Sequence, residues 1–234
     1  MRKFNLFIII CFGLLFSVNS QILVTNSVLH RINDSARVDE GRIDFLDPNT
    51  YIGSPYEFPE FQRGGIYTKD SLFIGDLFLR YNVVANKIEI KKNSTDSDED
   101  IKYLSQSLDL HAKIEGRKFV FIPLDGNMEE GDYFEVIYEG SQVDLYMKHE
   151  KEIRPVTKAS SSITREMLPK FRDKPLYFLV TKRKKFYQFP KSRNDKYKVF
   201  GSKSEEMKKY AKSERLNINE EEDLIKVVQY FEKQ

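Results

Sequence analysis

The fold is decided by the stretch DYFEVIYEGSQVDLYMK, residues 132–148. Its Gly140-Ser141 pair is a two-residue turn signal between two runs of alternating residues, a pattern typical of a β-hairpin. Folding the runs about this turn places Tyr138 opposite Val143 and continues into Val136 opposite Leu145, all on one apolar face. The other face is mostly polar, so the stretch predicts a half-buried antiparallel sheet.

The same alternation recurs on both sides of this stretch. A turn at Ala85-Asn86 would place Arg80 opposite Lys91, and a turn at Glu115-Gly116 would place Ala112 opposite Phe119. Strands joined by short turns favour a meander. We therefore predict a mainly β (α+β) fold over residues 65–200, an antiparallel meander, curved sheet or sandwich of about eight to ten strands.

The C-terminal residues change period. Residues 201–234 contain two amphipathic helical segments, one with a capping-box start at Ser202 and Glu205 and one that begins near Asn219. They predict a C-terminal helical hairpin packed on the β domain. We expect the helices to cover the less apolar face of the 132–148 hairpin, which holds Tyr133, Glu135, Ile137, Asp144 and Tyr146.

The N-terminal residues predict export. Residues 1–20 have a basic start, a short apolar core and small residues before Gln21, as a secretory signal peptide does. The apolar run is too short for a comfortable transmembrane helix, so no anchor is expected after cleavage. Cys11, the only cysteine, lies in that run and leaves the mature chain without a thiol. The expected location is periplasmic, outer-membrane-associated or extracellular.

Residues 21–64 are predicted to form an irregular N-terminal segment, which we call the lead-in. Its aromatic residues could form an exposed binding surface, but such residues more often pack a segment onto a sheet. The residues concerned are Tyr51, Tyr56, Phe58 and Phe61.

Charge is distributed unevenly along the chain. Residues 21–150 carry 14 basic and 24 acidic residues, whereas residues 151–234 carry 22 basic and 12 acidic ones. Such asymmetry indicates either attraction between the halves or separate partners for two faces, and attraction is the simpler interpretation.

One basic segment is the candidate binding site. Cations interleaved with aromatic residues at a hairpin tip are typical of polyanion binding. In an exported protein the partner would be an anionic glycan, lipid or protein of the envelope, and no nucleic acid is expected. The alternative is a charged tip that protects a sheet edge from aggregation. The candidate residues are Lys182, Arg183, Lys184, Lys185, Tyr187, Lys191 and Arg193.

No catalytic, metal or cofactor site is predicted. The acidic loop 93–100 resembles a calcium loop but lacks the required glycine and later glutamate, and the three histidines show no metal spacing. His111 is expected to face solvent. We therefore predict a non-catalytic binding or structural module. A hydrolase whose carboxylates, such as Asp132 and Glu135, meet only in three dimensions is an alternative, as is a carrier of an apolar ligand.

Four stretches together resemble an uncharacterised family of exported proteins from Bacteroidota. They are IGSPYEFPEFQRGGIYTKD (52–70), LFLRYNVVANKIEIKK (77–92), YFEVIYEGSQVDLYMK (133–148) and KKYAKSERLNINEEEDLIKVVQYFEKQ (208–234). The resemblance implies a signal peptide and envelope or extracellular placement. It implies no activity, ligand or catalytic residue.

Overall fold

The computed structural model describes residues 29–30, 50–69, 71–124, 127–154 and 168–234. For residues 29–30, 124 and 127–130 the backbone alone is described. The predicted signal peptide and most of the lead-in lie outside the described residues.

Thirteen strands are described. They are β1 Leu29–His30, β2 Gln62–Thr68, β3 Ser71–Asn82, β4 Lys87–Lys91, β5 Lys102–Leu104, β6 Leu110–Ile114, β7 Arg117–Leu124, β8 Asn127–Glu139, β9 Val143–Lys148, β10 Lys151–Arg154, β11 Lys170–Asp173, β12 Leu176–Thr181 and β13 Phe186–Gln188. All but β10 and β11 form one antiparallel sheet in the order β1-β5-β4-β3-β2-β6-β7-β8-β9-β12-β13. The predicted mainly β fold is confirmed, as one large sheet beside a two-stranded one.

A 3-10 helix, Asp98–Asp100, lies between β4 and β5, and the other helices follow the last strand. They are α1 Arg193–Lys196, a 3-10 segment Tyr197–Lys203, α2 Ser204–Ser213 and α3 Glu221–Glu232. Their apolar side chains bury Val143, Leu145 and Leu179, and we call this side of the sheet the helix face. The expectation that the helices cover the face with Tyr133, Glu135, Ile137, Asp144 and Tyr146 is wrong for the residues of β9, whereas Ile137 of β8 packs against the helix-face core. Tyr146 and Asp144 lie on the opposite side, because they alternate with Leu145.

The hairpin registers follow the predicted pattern with a displacement. Ala112 opposes Phe119 as predicted. Tyr138 opposes Leu145 rather than Val143, and Arg80 likewise opposes Glu89 rather than Lys91. A shift of two residues does not by itself move a side chain to the other face, since the period of a strand is two.

A β-bulge at Ile137 changes the faces along β8. Val136 opposes Tyr146 beyond the bulge, not Leu145 as predicted, because the extra residue reverses the alternation. Phe134 and Val136 consequently join Tyr146 and Val180 on the side away from the helices, which we call the aromatic face. Both sides of this part of the sheet are therefore apolar.

The sheet curls back on itself at its other end. The side chain of Asn86, in the β3–β4 turn, donates a 2.8 Å hydrogen bond to the carbonyl of Gly131. It also accepts one of 3.1 Å from the backbone N–H of Tyr133. These residues lie on β8, five places from β4 in the strand order. The curl encloses the larger core, which includes Leu79, Tyr81, Ile88, Phe119 and Tyr133.

The segment before β12 is extended where it is described. The loss of alternation over residues 151–174 predicts a crossing loop with a short helix near residues 164–171. Residues 155–167 lie outside the described part of the chain, and Lys170–Asp173 is strand β11. It pairs with β10, and Phe171 is buried against Tyr51 of the lead-in. Tertiary pairing thus outweighs a weak local helical signal.

Candidate functional site

The predicted basic segment lies at one end of the large sheet. Residues 182–185 form the turn between β12 and β13, and β13 is the terminal strand of the sheet. The backbone N–H of Thr181 donates to Lys185 (3.0 Å), while that of Lys184 donates to Thr181 (2.8 Å). Lys184 has a positive φ of 58°, which is typical of a tight turn, and residues 182–185 are exposed.

The cations of this tip differ in what they contact. Lys182 Nζ lies 2.6 Å from Asp144 Oδ1, and that carboxylate is only 4% exposed. Lys184 Nζ lies 5.9 Å from the centre of the Tyr146 ring on the aromatic face. Arg183 and Lys185 are exposed and have no ion pair in the described part of the chain. Two of the four tip cations are thus free to meet an external anion.

The remaining candidate residues do not share one surface with the tip. Tyr187 opposes Leu179, so it lies on the helix-face side of β13, and it is 46% exposed. Lys191 and Arg193 are exposed beyond the end of β13 and form no ion pair with any described residue. Lys182 and Lys184 lean instead toward the aromatic face. The structure therefore places four of the seven candidate residues in the turn, Tyr187 on β13, and Lys191 and Arg193 beyond the end of that strand.

The resemblance noted in the sequence finds no counterpart in the comparisons. No family model, no curated protein and no solved structure matches this chain.

A second cluster was not predicted from the sequence. On the helix face, between the two largest apolar cores, Arg117 of β7 meets Glu135 of β8, His149 after β9 and Glu57 of the lead-in. Arg117 donates to both oxygens of Glu135, at 2.7 Å from Nε and 2.5 Å from Nη2. Arg117 Nη2 also lies 2.9 Å from Glu57. We call these four residues the charge cluster.

His149 occupies the centre of the charge cluster. Its Nδ1 lies 2.8 Å from Glu57 and its Nε2 lies 2.8 Å from Glu135. A ring with a carboxylate at each nitrogen donates both hydrogen bonds only as the imidazolium. With His149 protonated, two cations balance two carboxylates in the cluster. Aromatic rings of Tyr81 and Phe119 enclose the imidazole at centroid distances of 6.0 and 5.9 Å.

The pKa shifts follow from these contacts. Burial alone would raise the pKa of Glu57, but hydrogen bonds from His149 and Arg117 outweigh it and lower that pKa to about 2. The pKa of Glu135 is also lowered, because its contacts with Arg117 and His149 outweigh the effect of burial. Burial would lower the pKa of His149, yet its two carboxylate partners raise it. The cluster is therefore held in its fully charged form.

This electrostatic arrangement is suited to holding the fold together. A general acid needs a carboxyl group that is protonated near the working pH, and neither Glu57 nor Glu135 meets that need. Every buried side-chain nitrogen and oxygen atom of the described residues has a hydrogen-bond partner. The cluster ties the lead-in to three parts of the sheet. The proximity of Glu57 to His149, 92 positions apart, carries no sequence signal.

The lead-in is also held by aromatic contacts with Arg80. The guanidinium carbon of Arg80 lies 3.7 Å from the Tyr56 ring centre and 4.2 Å from that of Phe61. Phe58 packs against the larger core, and Tyr51 is buried. The four lead-in aromatic residues therefore pack onto the fold, the alternative that the sequence favours over an exposed binding surface.

The other polar candidates are used internally. In the acidic loop, Asp96 accepts hydrogen bonds from the backbone N–H groups of Lys92 and Asn93, and Asp98 pairs with Lys91 at 2.6 Å. The described residues contain no group of three or more His, Cys, Asp and Glu side chains that could hold a metal ion. His111 was expected to face solvent but is buried and stacked on Tyr67.

Within the described residues, no helix combines the length and the apolar character needed to cross a membrane.

Proposed function

We propose that the protein is an exported, non-catalytic binding module whose basic tip binds an anionic component of the cell envelope. The observation that carries this proposal is the exposed pair Arg183 and Lys185, at the end of the sheet, without a neutralising partner among the described residues. A cation that a fold leaves unpaired and projecting is available to an external phosphate or carboxylate.

The distribution of charge along the chain also supports an anion-binding tip. Residues 182–198 include eight Lys and Arg side chains and a single acidic one, Asp195. Among the described residues, Lys182–Asp144 is the only ion pair that joins residues 21–150 to residues 151–234. Direct ion pairing between the two halves therefore neutralises little of the basic half, and the exposed cations Arg183, Lys185, Lys191 and Arg193 form no ion pair with any described residue.

The charge cluster gives no support to the alternative of a hydrolase. Its two carboxylates are paired with two cations, and their lowered pKa values keep them from donating a proton at neutral pH. Export is supported by the signal-like pattern of residues 1–20. Mass spectrometry of the protein from a cell-envelope fraction tests this part, since a mature chain that retains residues 1–20 would contradict it.

Binding is tested with a pair of charge-reversal variants. R183E/K185E reverses the two tip cations, and K208E/K209E makes the same change of net charge at two exposed lysines of α2, which likewise form no ion pair with a described residue. The probes are vesicles with phosphatidylglycerol, vesicles of phosphatidylcholine alone, and alginate. We expect R183E/K185E to weaken binding to the anionic probes by about tenfold or more, the factor that corresponds to about 1.4 kcal/mol.

The two variants and the three probes separate the outcomes. K208E/K209E should retain near-normal affinity, because a net-charge effect alone is screened by salt. Preference for the anionic vesicles identifies a lipid headgroup, and preference for alginate identifies an acidic glycan. Equal losses in both variants, or equal binding to neutral and anionic vesicles, would contradict the proposal.

A further inference from the structure

The outer edge of β13 has backbone groups that point away from the sheet. Thr181 N–H donates to the carbonyl of Lys185 (3.0 Å), and Phe189 N–H donates to that of Tyr177 (2.8 Å). In an antiparallel ladder the hydrogen-bonded pairs alternate with pairs whose N–H and C=O groups point outward. Phe186 and Gln188 therefore direct their backbone donors and acceptors away from β12.

This edge has no partner in the described part of the chain. β13 is the last strand in the order of the large sheet, and the 3-10 segment, α2 and α3 supply the helical side chains that pack on the helix face. Tyr187 and Gln188 are exposed. A strand edge with unpaired backbone groups is a template on which another extended segment can form a ladder.

The charges around this edge select the kind of segment that fits. Arg183 and Lys185 lie at the start of β13, and Lys191 lies just beyond its end. A second copy of the chain paired edge to edge would bring these cations against each other, which is unfavourable. An extended segment with acidic residues at both ends would instead meet a cation at each end.

From this geometry we propose that the edge of β13 adds an extended acidic peptide segment of a protein partner as a further strand. This inference rests on the proposed function, since the same cations attract the partner. It goes further in two respects. The partner is a protein, and the contact is made by the backbone of Phe186 and Gln188. The paired backbone would supply affinity, and Arg183, Lys185 and Lys191 would supply the preference for acidic sequences.

Proline at position 188 tests the backbone contact separately from charge. Because the N–H of Gln188 points outward, Q188P removes a donor of the free edge without removing a hydrogen bond to β12, and proline is tolerated at such edge positions. Q188A keeps the donor and is the matched control. The probes are the fluorescently labelled peptide EEVTVEE and its charge-matched counterpart EEPTPEE, whose prolines prevent ladder formation.

We expect the wild-type protein and Q188A to bind EEVTVEE at least about tenfold more tightly than EEPTPEE, and Q188P to lose that preference. Amide exchange of the wild-type protein needs no variant: EEVTVEE should protect the Phe186 and Gln188 amides. Equal binding of EEVTVEE by Q188P and Q188A, or no protection of these amides, would overturn the inference.

The proposed function fails on a different result. If the wild-type protein binds alginate or anionic vesicles but shows no preference between the two peptides, the basic tip binds anions and the strand addition is wrong. If none of the anionic probes binds, the proposed function and this inference both fail.

Discussion

His149 Nδ1 lies 2.8 Å from a carboxylate oxygen of Glu57, and this contact fastens the N-terminal lead-in to the sheet. The same imidazole reaches Glu135 with its other nitrogen, at 2.8 Å. His149 and Glu135 are largely buried, and the exposed fractions of their side chains are 8% and 7%. Removing one member of such a buried network leaves an uncompensated charge, which is costly.

The contact makes stability depend on pH. The folded-state pKa of His149 is raised, so its contribution is fully present below the unfolded-state value of about 6.5 and is lost as pH rises through the folded-state value. We expect H149Q to be less stable than wild type by about 3 kcal/mol at pH 6, and this difference to shrink as pH rises. Urea unfolding followed by circular dichroism measures it. A difference that grows with pH would contradict the assigned protonation state.

Glu57 should control the order of the lead-in. E57Q removes the charge that pairs with His149 and Arg117, so we expect faster amide exchange across residues 50–61. The matched control is E60Q, which changes an exposed glutamate without an ion pair in the described residues. If E60Q accelerates exchange as much as E57Q does, the charge cluster does not fasten the lead-in.

Arg80 should stabilise the fold by pairing with Glu89. Arg80 Nη2 lies 2.6 Å from Glu89, which is buried, and its guanidinium stacks on Tyr56 and Phe61. R80M leaves Glu89 without its cation, so we expect a loss of about 3–5 kcal/mol in the free energy of unfolding. R63M alters an exposed arginine with no ion pair to a described residue and should stay within about 0.5 kcal/mol of wild type. Similar unfolding midpoints for the two variants would contradict this.

The C-terminal helix is joined to the β8–β9 turn by Glu232. Its carboxylate accepts hydrogen bonds from the Tyr138 hydroxyl and, at 2.6 Å, from the backbone N–H of Gln142. Burial would raise the pKa of Glu232, but these donors lower it to about 2. This contribution to stability is present above the ordinary glutamate pKa and is lost as pH falls toward 2.

Gly140 permits this contact, because a Cβ atom there would lie 2.3 Å from both carboxylate oxygens of Glu232. We expect G140A and E232Q each to cost about 1 kcal/mol, with the double variant costing little more than either alone. E214Q, at an exposed glutamate of the helix end, is the control and should be neutral. Additive losses in thermal or urea unfolding would show that Gly140 and Glu232 act independently.

The sequence predicts the strands better than their partners. Alternation identified the hairpins and the helical C terminus, because these depend on local periodicity. It misplaced Arg80, which was predicted opposite Lys91 and lies opposite Glu89, since turn length sets the register. The bulge at Ile137 was also missed, and it places Phe134 and Tyr146 on one face. Nothing in the sequence alternation of apolar and polar residues along β8 and β9 marks the inserted residue.

The candidate site was predicted only in part. A basic run between two strands indicates a hairpin tip, so residues 182–185 could be placed from sequence. The sequence does not show which of these cations are unpaired, because Lys182 pairs with the buried Asp144 of another strand. The charge cluster escaped prediction for the same reason. Its members come from four separate segments that only the curled sheet brings together.

If the proposed function is right, the cations of residues 182–185 that form no ion pair with a described residue make up the binding surface. The most direct measurement is amide chemical-shift mapping of the ¹⁵N-labelled protein during titration with short-chain polyphosphate. We expect the largest shift changes at residues 182–185, where Arg183 and Lys185 form no ion pair with any described residue. Changes centred on the lysines of α2, or no saturable changes at the tip, would contradict it.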